Sequence, residues 1–387
     1  MSKRTGRRRF LAHGLTLLGL PTLAACRRPD VPPTPPVPAM LIAWLESEIP
    51  RLLASSRVPG LAVAVVSAGR VAWSRGFGVK SGTSGGRVDE HTVFEAGSVS
   101  KTVFAYAVLK LVEKGVLALD TPLTHYVPDR WIEGDPRLDR MTARHILSHT
   151  GGFPNWRSEK EPLRILFAPG ERWEYSGEGY SYLQLVVSRL TGRVDASRCE
   201  KMWDGLTVCA TEFDDYLRRS LLGPFGMASS GLLLDPALSD RAARGHREDG
   251  HPTGRPPATP ITAARYGAAG GLLTTVADYA RFLVEVLDPK PQDDARLGGQ
   301  TRSEMLRPQV KVTNDSSWAL GWQILHQPTG DVIAHSGDNP GFKAFTLASV
   351  PRKTGYVFMM NGDNAGEIFK TLAYGDTPLN GFVMGGG

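Results

Sequence analysis

Cysteine is scarce in this chain, with three in 387 residues. Two of them, Cys199 and Cys209, stand near each other without a histidine close by, which makes half a zinc site at most, so no metal is expected. Also missing is an unbroken apolar run able to cross a bilayer. The most apolar part of the N-terminus, "FLAHGLTLLGLPTLAAC", is too short and too interrupted for that. A real excess of positive charge is absent too. The formal net charge is +6, but Lys3, Arg4, Arg7, Arg8 and Arg9 sit at the extreme N-terminus; setting them aside leaves 40 basic residues against 39 acidic. A near-neutral remainder takes away the main support for nucleic-acid binding. With 41% hydrophobic and 22% charged residues, what remains is globular and long enough for a large core.

The first residues read as a targeting segment. "RRRFL" (Arg7 to Leu11) is similar to a twin-arginine export signal, and "LAAC" ends like a bacterial lipobox, with Cys26 as the lipidated residue. The stretch "RRPDVPPTPPVP" that follows is a proline-rich spacer suited to holding a domain away from a membrane. The expected organisation is therefore a signal peptide over 1–25, a linker over 26–38 and one domain over 39–387. Export to the periplasm or cell surface and a lipid anchor in a bacterial membrane follow as expectations. Lipidation of Cys26 would leave Cys199 and Cys209, which could pair in an oxidising compartment and clip a short loop.

Helical spacing of Leu41, Trp44, Leu45, Ile49, Leu52 and Leu53 predicts an amphipathic helix, with Pro50 as a kink. Two β-branched runs around Ser67–Ala68–Gly69–Arg70 predict a hairpin, and residues 81–90 read as a Gly/Ser loop. From Thr92 to about Leu306 the pattern is mainly helical. Strands return in "WALGWQILHQ", "DVIAHSG", "FKAFTLASV" and "GYVFMMNG". This order predicts an α+β fold: one antiparallel sheet built from both ends of the chain, flanked by helices, with an inserted helical region beside it and a cleft between.

Several segments carry candidate chemistry. In "EAGSVSKTVFAY", Ser98 and Lys101 lie one turn apart at the start of an apolar helix that should end at Gly115. The helix N-terminus favours developing negative charge, and a buried lysine there can lose its proton and activate a serine. The bland alternative is a helix-cap serine and a surface lysine. Tyr175, in the turn before the helix "GYSYLQLVVSRL", suits acid–base work if a neighbouring cation lowers its pKa, or plain packing. His335–Ser336–Gly337 ends a short strand that could offer its backbone to an extended substrate, or simply turns the chain.

Other matches fail on context. "GSVSKT" lacks the glycines of a phosphate loop, because Glu95 and Ser100 stand where they are needed. "GTSGG" (Gly82 to Gly86) has no helix after it. His145 and His149 have zinc spacing but no glutamate between them that fits the motif. Lys353–Thr354–Gly355 reads as a hairpin turn.

Taken in order, "VPGLAVAVV", "FEAGSVSKTVFA", "ALDTPLTHYVPD", "LSHTGGFPNW", "FAPGERWEYSGEGYSYLQ", "GPFGM", "AAGGLLTTVADYARF" and "HSGDNPGF" resemble the serine β-lactamase and penicillin-binding-protein superfamily, in its class C-like branch, over roughly residues 40–365. The resemblance implies Ser98 as nucleophile, Lys101 as its partner in proton transfer and Tyr175 as second base and acid. It implies His335, Ser336 and Gly337 as the third box, and an oxyanion held between the N–H groups of Ser98 and Asp338. No metal or cofactor is implied. The substrate would be a small molecule or peptide with a carbonyl centre.

One departure stands out. The second box of the family reads Tyr-x-Asn, and here it is Tyr175–Ser176–Gly177, leaving Glu178 or a water to take the place of the missing amide. This tilts the expectation toward an ester or small-amide hydrolase and away from a β-lactamase or DD-carboxypeptidase acting on cell-wall peptides. A non-catalytic penicillin-binding sensor is a third reading, disfavoured by the joint presence of Ser98, Lys101 and Tyr175. Specificity should lie in residues 130–165 and 240–260. The stretch around Cys199 and Cys209 looks like a peripheral elaboration.

Overall fold

The computed structural model describes residues 37–127, 131–158, 160–192, 204–255 and 258–385, and for 204–209 the backbone alone. Cys26, Cys199 and the side chain of Cys209 lie outside the described residues, as does the leader. Among the described residues no helix is long and apolar enough to cross a membrane.

The two ends of the folded chain meet in one sheet. β1 (Gly60–Ser67) and β2 (Arg70–Ser81) form the expected hairpin across Ala68 and Gly69, both left-handed at φ 45 and 71. β3 (Gly85–Arg87) adds to the outer edge of β2. β4 (Phe94–Glu95) and β5 (Leu273–Thr274) make a separate small pair. β6 (Val310–Lys311), β7 (Ser316–Trp318), β8 (Gln323–Leu325), β9 (Val332–Asn339), β10 (Phe342–Ser349) and β11 (Thr354–Met360) complete the main sheet, in the order β3-β2-β1-β11-β10-β9-β8-β7-β6. Antiparallel pairing of β1 with β11, from Leu61↔Met360 to Val66↔Gly355, joins the N- and C-terminal parts.

Helices cover both faces. On one side lie α1 (Ala39–Ser56), α10 (Gly366–Ile368) and α11 (Pro378–Met384); between and beside the strands come α2 (Ser100–Glu113), α3 (Ala143–Leu147), α4 (Gly177–Thr191), α5 (Asp204–Leu217), α6 (Pro236–Ser239), α7 (Pro260–Gly270), α8 (Val276–Leu287) and α9 (Gly299–Leu306). The two-residue period of β1 divides its side chains between these layers. Ala62, Ala64 and Val66 join the core of the helical region, while Leu61, Val63 and Val65 pack on the α1 side. Every residue of α2 from Ser100 to Leu111 is buried, so this helix runs through the middle of the helical region. It stops before Gly115, whose φ of 68 ends it as the sequence suggests.

Three expectations need correction. The 81–90 loop contains β3, because Gly85 and Gly86 turn back at φ 71 and 80 and bring Arg87 opposite Val79. "WALGWQILHQ" is not one strand; it breaks into parts of β7 and β8 at Gly321, φ 84. β9 does not end at Gly337 but continues to Asn339, since β10 pairs with it as far as Phe342↔Asn339. Lys353 does sit in a hairpin turn, φ 52, and its amine reaches Asp288 at 2.7 Å.

Candidate active site

Ser98 lies on a 3-10 turn, Gly97–Val99, that leads directly into α2. Close approach to β9 depends on two glycines. A Cβ on Gly97, at φ 53, would stand 2.6 Å from the backbone nitrogen of Asp338, and one on Gly337 would stand 2.0 Å from the carbonyl oxygen of Ala96. The backbone around Ser98 is thereby pressed against that of Asp338. Ser100 fixes the turn from behind: its hydroxyl donates to the Gly97 carbonyl at 2.6 Å and accepts the Leu272 N–H at 3.0 Å.

Lys101 is fully buried. Its Nζ lies 3.1 Å from Ser98 Oγ and 2.5 Å from the carbonyl oxygen of Ala269 on α7. The faces of Tyr175 and Tyr180 flank it, with centroids 4.9 and 5.3 Å away. No carboxylate forms an ion pair with it among the described residues. Burial therefore dominates and pulls its pKa down to about 7. A lysine so placed is substantially neutral at physiological pH and can accept the serine proton.

Tyr175 differs from expectation. Burial pushes its phenol up, and the neighbouring Ser98 hydroxyl offsets only part of that. It is a neutral phenol at rest, not a phenolate held by the lysine. Beneath it lies His149, with ring centroids 4.2 Å apart. The sequence pattern had singled out His149 only as a failed metal ligand. Its Nδ1 accepts the Ser176 N–H at 3.0 Å, which positions the turn carrying Tyr175. His145 has separate work, capping the start of α3 with Thr142.

The third-box residues divide. Ser336 and Asp338 line a cleft of about 870 Å³ together with Ser98 and Tyr175. His335 is buried behind it, against Trp318 at 5.5 Å, with Nδ1 2.7 Å from the Ser336 carbonyl. Burial, helped by the charge of Lys101, drives its pKa down to about 3, so the imidazole is neutral. Gly337 supplies the close backbone contact described above. Beyond Ala334, β9 has β10 on one side and no paired strand on the other among the described residues. Asn339 is committed, its amide donating to Glu95 and to the Gly270 carbonyl at 2.7 and 3.0 Å.

Glu178 does not replace the amide of the second box. It is buried, and its carboxylate takes the Trp131 indole N–H at 2.9 Å and pairs with Arg157. Trp156 instead stands over Gly177, an arrangement that no spacing rule could have found. Residues 155, 156, 255 and 258 of the two predicted specificity stretches do line the cleft.

A mixed sheet-and-helix architecture with a serine–lysine pair at the junction defines a serine hydrolase of the β-lactamase and penicillin-binding-protein superfamily. The chain belongs to the β-lactamase family, whose model, described as Beta-lactamase, matches residues 45–377. It is 24% identical over 344 residues to penicillin-binding protein 4* of Bacillus subtilis (strain 168), covering 80% of this chain and 70% of that one. A shorter match, 32% identical over 186 residues, is to esterase EstB of Burkholderia gladioli, covering 40% and 47%. The fold is similar to that of D-alanine carboxypeptidase AmpC from Burkholderia cenocepacia, with a TM-score of 0.71 at 20% identity over 89% of this chain and 99% of that one.

Proposed function

We propose that this serine hydrolase forms an acyl-enzyme on Ser98 and hydrolyses an ester or small amide. The observation that carries this reading is the buried Lys101 amine, 3.1 Å from Ser98 Oγ and near neutrality at about 7. Ser98 Oγ attacks the carbonyl carbon as its proton passes to Lys101, directly or through the Tyr175 hydroxyl. The carbonyl oxygen takes the negative charge, facing the N–H groups of Ser98 and Asp338. Collapse of this intermediate expels the alkoxide or amine, which takes the proton back. Water then repeats the sequence on the acyl-enzyme and frees Ser98.

Ester substrates are favoured over cell-wall peptides because Gly177 offers no side chain to bind a substrate amide and Glu178 is committed elsewhere. The test is turnover of p-nitrophenyl esters alongside intact mass after exposure to benzylpenicillin, for the wild type and Ser98→Ala. Ester turnover that vanishes in Ser98→Ala is the expected result; persistence of turnover in that variant overturns the assignment. Rapid, stable acylation by penicillin without ester turnover would favour a penicillin-binding protein.

Export and lipid anchoring at Cys26 belong to the same proposal. They rest on the twin-arginine-like stretch, the lipobox and the proline-rich spacer. Incorporation of labelled fatty acid that disappears in Cys26→Ala is the expected result, and labelling that survives the change rules it out.

A further inference from the structure

The wall of the cleft beside Gly177 is built from two aromatic rings. Asn155 and Trp156 lie across the N-terminus of α4. The Asn155 side-chain oxygen accepts the Gly177 N–H at 2.9 Å, and its backbone carbonyl accepts the Glu178 N–H at 2.8 Å. These bonds set Trp156 so closely over Gly177 that a Cβ on the glycine would stand 2.5 Å from Cη2 of the indole and 2.7 Å from Cζ2. No side chain fits at position 177 unless the indole moves. The edge of that ring meets Tyr266 of α7, with centroids 5.2 Å apart and planes at 87°.

Both rings line the same cleft as Ser98 and Tyr175. Trp156 is 44% exposed there, an unusual state for an indole outside an interface. The two side-chain acceptors nearest Gly177 in sequence and space are engaged: the Asn155 oxygen by Gly177, the Glu178 carboxylate by Trp131 and Arg157. The cleft thus offers aromatic surface from Trp156 and Tyr266 on one side, with Ser336 and Asp338 of β9 among its other lining residues. With the carbonyl oxygen facing the N–H groups of Ser98 and Asp338, the group that stays on Ser98 has the cleft shared by Ser98, Asp338, Trp156 and Tyr266 to occupy.

We propose that Trp156 and Tyr266 form an aromatic wall for the acyl group, and that the absence of a side chain at Gly177 exists to seat the Trp156 indole. The wall selects esters of bulky aromatic or apolar acids over short ones. This rests on the Ser98 acyl-transfer reading and specifies its substrate class. Trp156 is a specificity-determining residue; it takes no part in proton transfer.

The test compares kcat/KM for p-nitrophenyl phenylacetate and p-nitrophenyl acetate in the unsubstituted protein, in Trp156→Ala, in Gly177→Asn and in the double variant. Loss of one aromatic contact in a binding pocket lowers selectivity by about tenfold. The phenylacetate-to-acetate ratio should fall by about that factor in Trp156→Ala. Gly177→Asn should lower it similarly, because its Cβ displaces the indole. The double variant should fall no further, since both changes remove the same wall. An unchanged ratio in Trp156→Ala, or effects of the two changes that multiply, overturns the proposal.

Two controls separate its failure from that of the underlying reading. A series of acetate esters with different alcohols should leave the variants' selectivity close to wild type; a shift confined to that series would assign the wall to the leaving group and refute the acyl assignment. Binding of benzylboronic against methylboronic acid, which needs Ser98 but no turnover, should show the same loss of preference in Trp156→Ala. Boronate binding that survives Ser98→Ala would instead remove the acyl-transfer reading itself.

Discussion

The Nζ of Lys101, at the start of α2, donates to the carbonyl of Ala269 at the end of α7, 168 residues away. A backbone carbonyl aims the amine without adding the full negative charge that would hold it protonated. The lysine is consequently fixed in place and its pKa is still down at about 7, below its ordinary value near 10.4.

Activity that needs the neutral amine should rise with pH through a limb near 7 and level off above it. The stability effect has its own sign. Between about 7 and 10.4 the unfolded chain holds a proton that the native chain has released, so stability rises with pH across that window, and the cost of burying the cation is complete below 7. Lys101→Met should lower kcat/KM by about a thousandfold or more and abolish the limb. A limb near 7 that survives in this variant assigns it to another group.

His335 gives a second pH dependence, on stability rather than rate. Its pKa in the fold is about 3, against an ordinary value near 6.5, and His149 beside Tyr175 moves in the same direction. As pH falls from 6.5 toward 3, the unfolded chain gains protons that the native chain refuses, so stability declines over that range. Urea midpoints measured from pH 7 to 4 should fall, and His335→Gln should fall less steeply. An identical slope in the variant would show that His335 does not carry the effect.

Gly97 links fold to chemistry. Alanine there must adopt φ 53 and place a methyl group 2.6 Å from the nitrogen of Asp338. Gly97→Ala should cost about 1–3 kcal/mol of stability and widen the gap between the turn and β9. If the proposed oxyanion site is that gap, kcat should drop more than KM rises. Equal activity in a stably folded variant would argue against the backbone pair as oxyanion donors.

The sheet and the central helix were legible in the sequence because their signals are local. β1 and β11 carry buried β-branched and aromatic runs, and α2 is apolar from Val103 to Leu109 with Gly115 beyond its end. Ser98, Lys101 and Tyr175 were legible as types, and the fold brings them together. What escaped was set by tertiary packing. Spacing could not show that Trp156 covers Gly177, that Glu178 turns toward Arg157, or that His149 supports Tyr175. Nor could it give the direction of the Tyr175 shift, since burial outweighs the lowering effect of Ser98. The break of β7 and β8 at Gly321 was missed because the apolar pattern continues through it.

The Tyr175 phenol leads to the last prediction. A phenol raised by burial is a poor resting base, so in the proposed mechanism its contribution would be to hold a proton at a fixed place between Ser98 and the leaving group. Tyr175→Phe removes the hydroxyl and keeps the ring that packs on His149 and faces Lys101. Loss of one well-placed hydrogen-bonding group in the transition state typically costs about 10²–10³ in kcat. The variant should show that loss while keeping the limb near 7, because the limb belongs to Lys101. Thermal stability should change little, since the ring contacts persist. A variant that loses the limb along with its rate would make Tyr175 the titrating base and reverse the division of labour between the two residues.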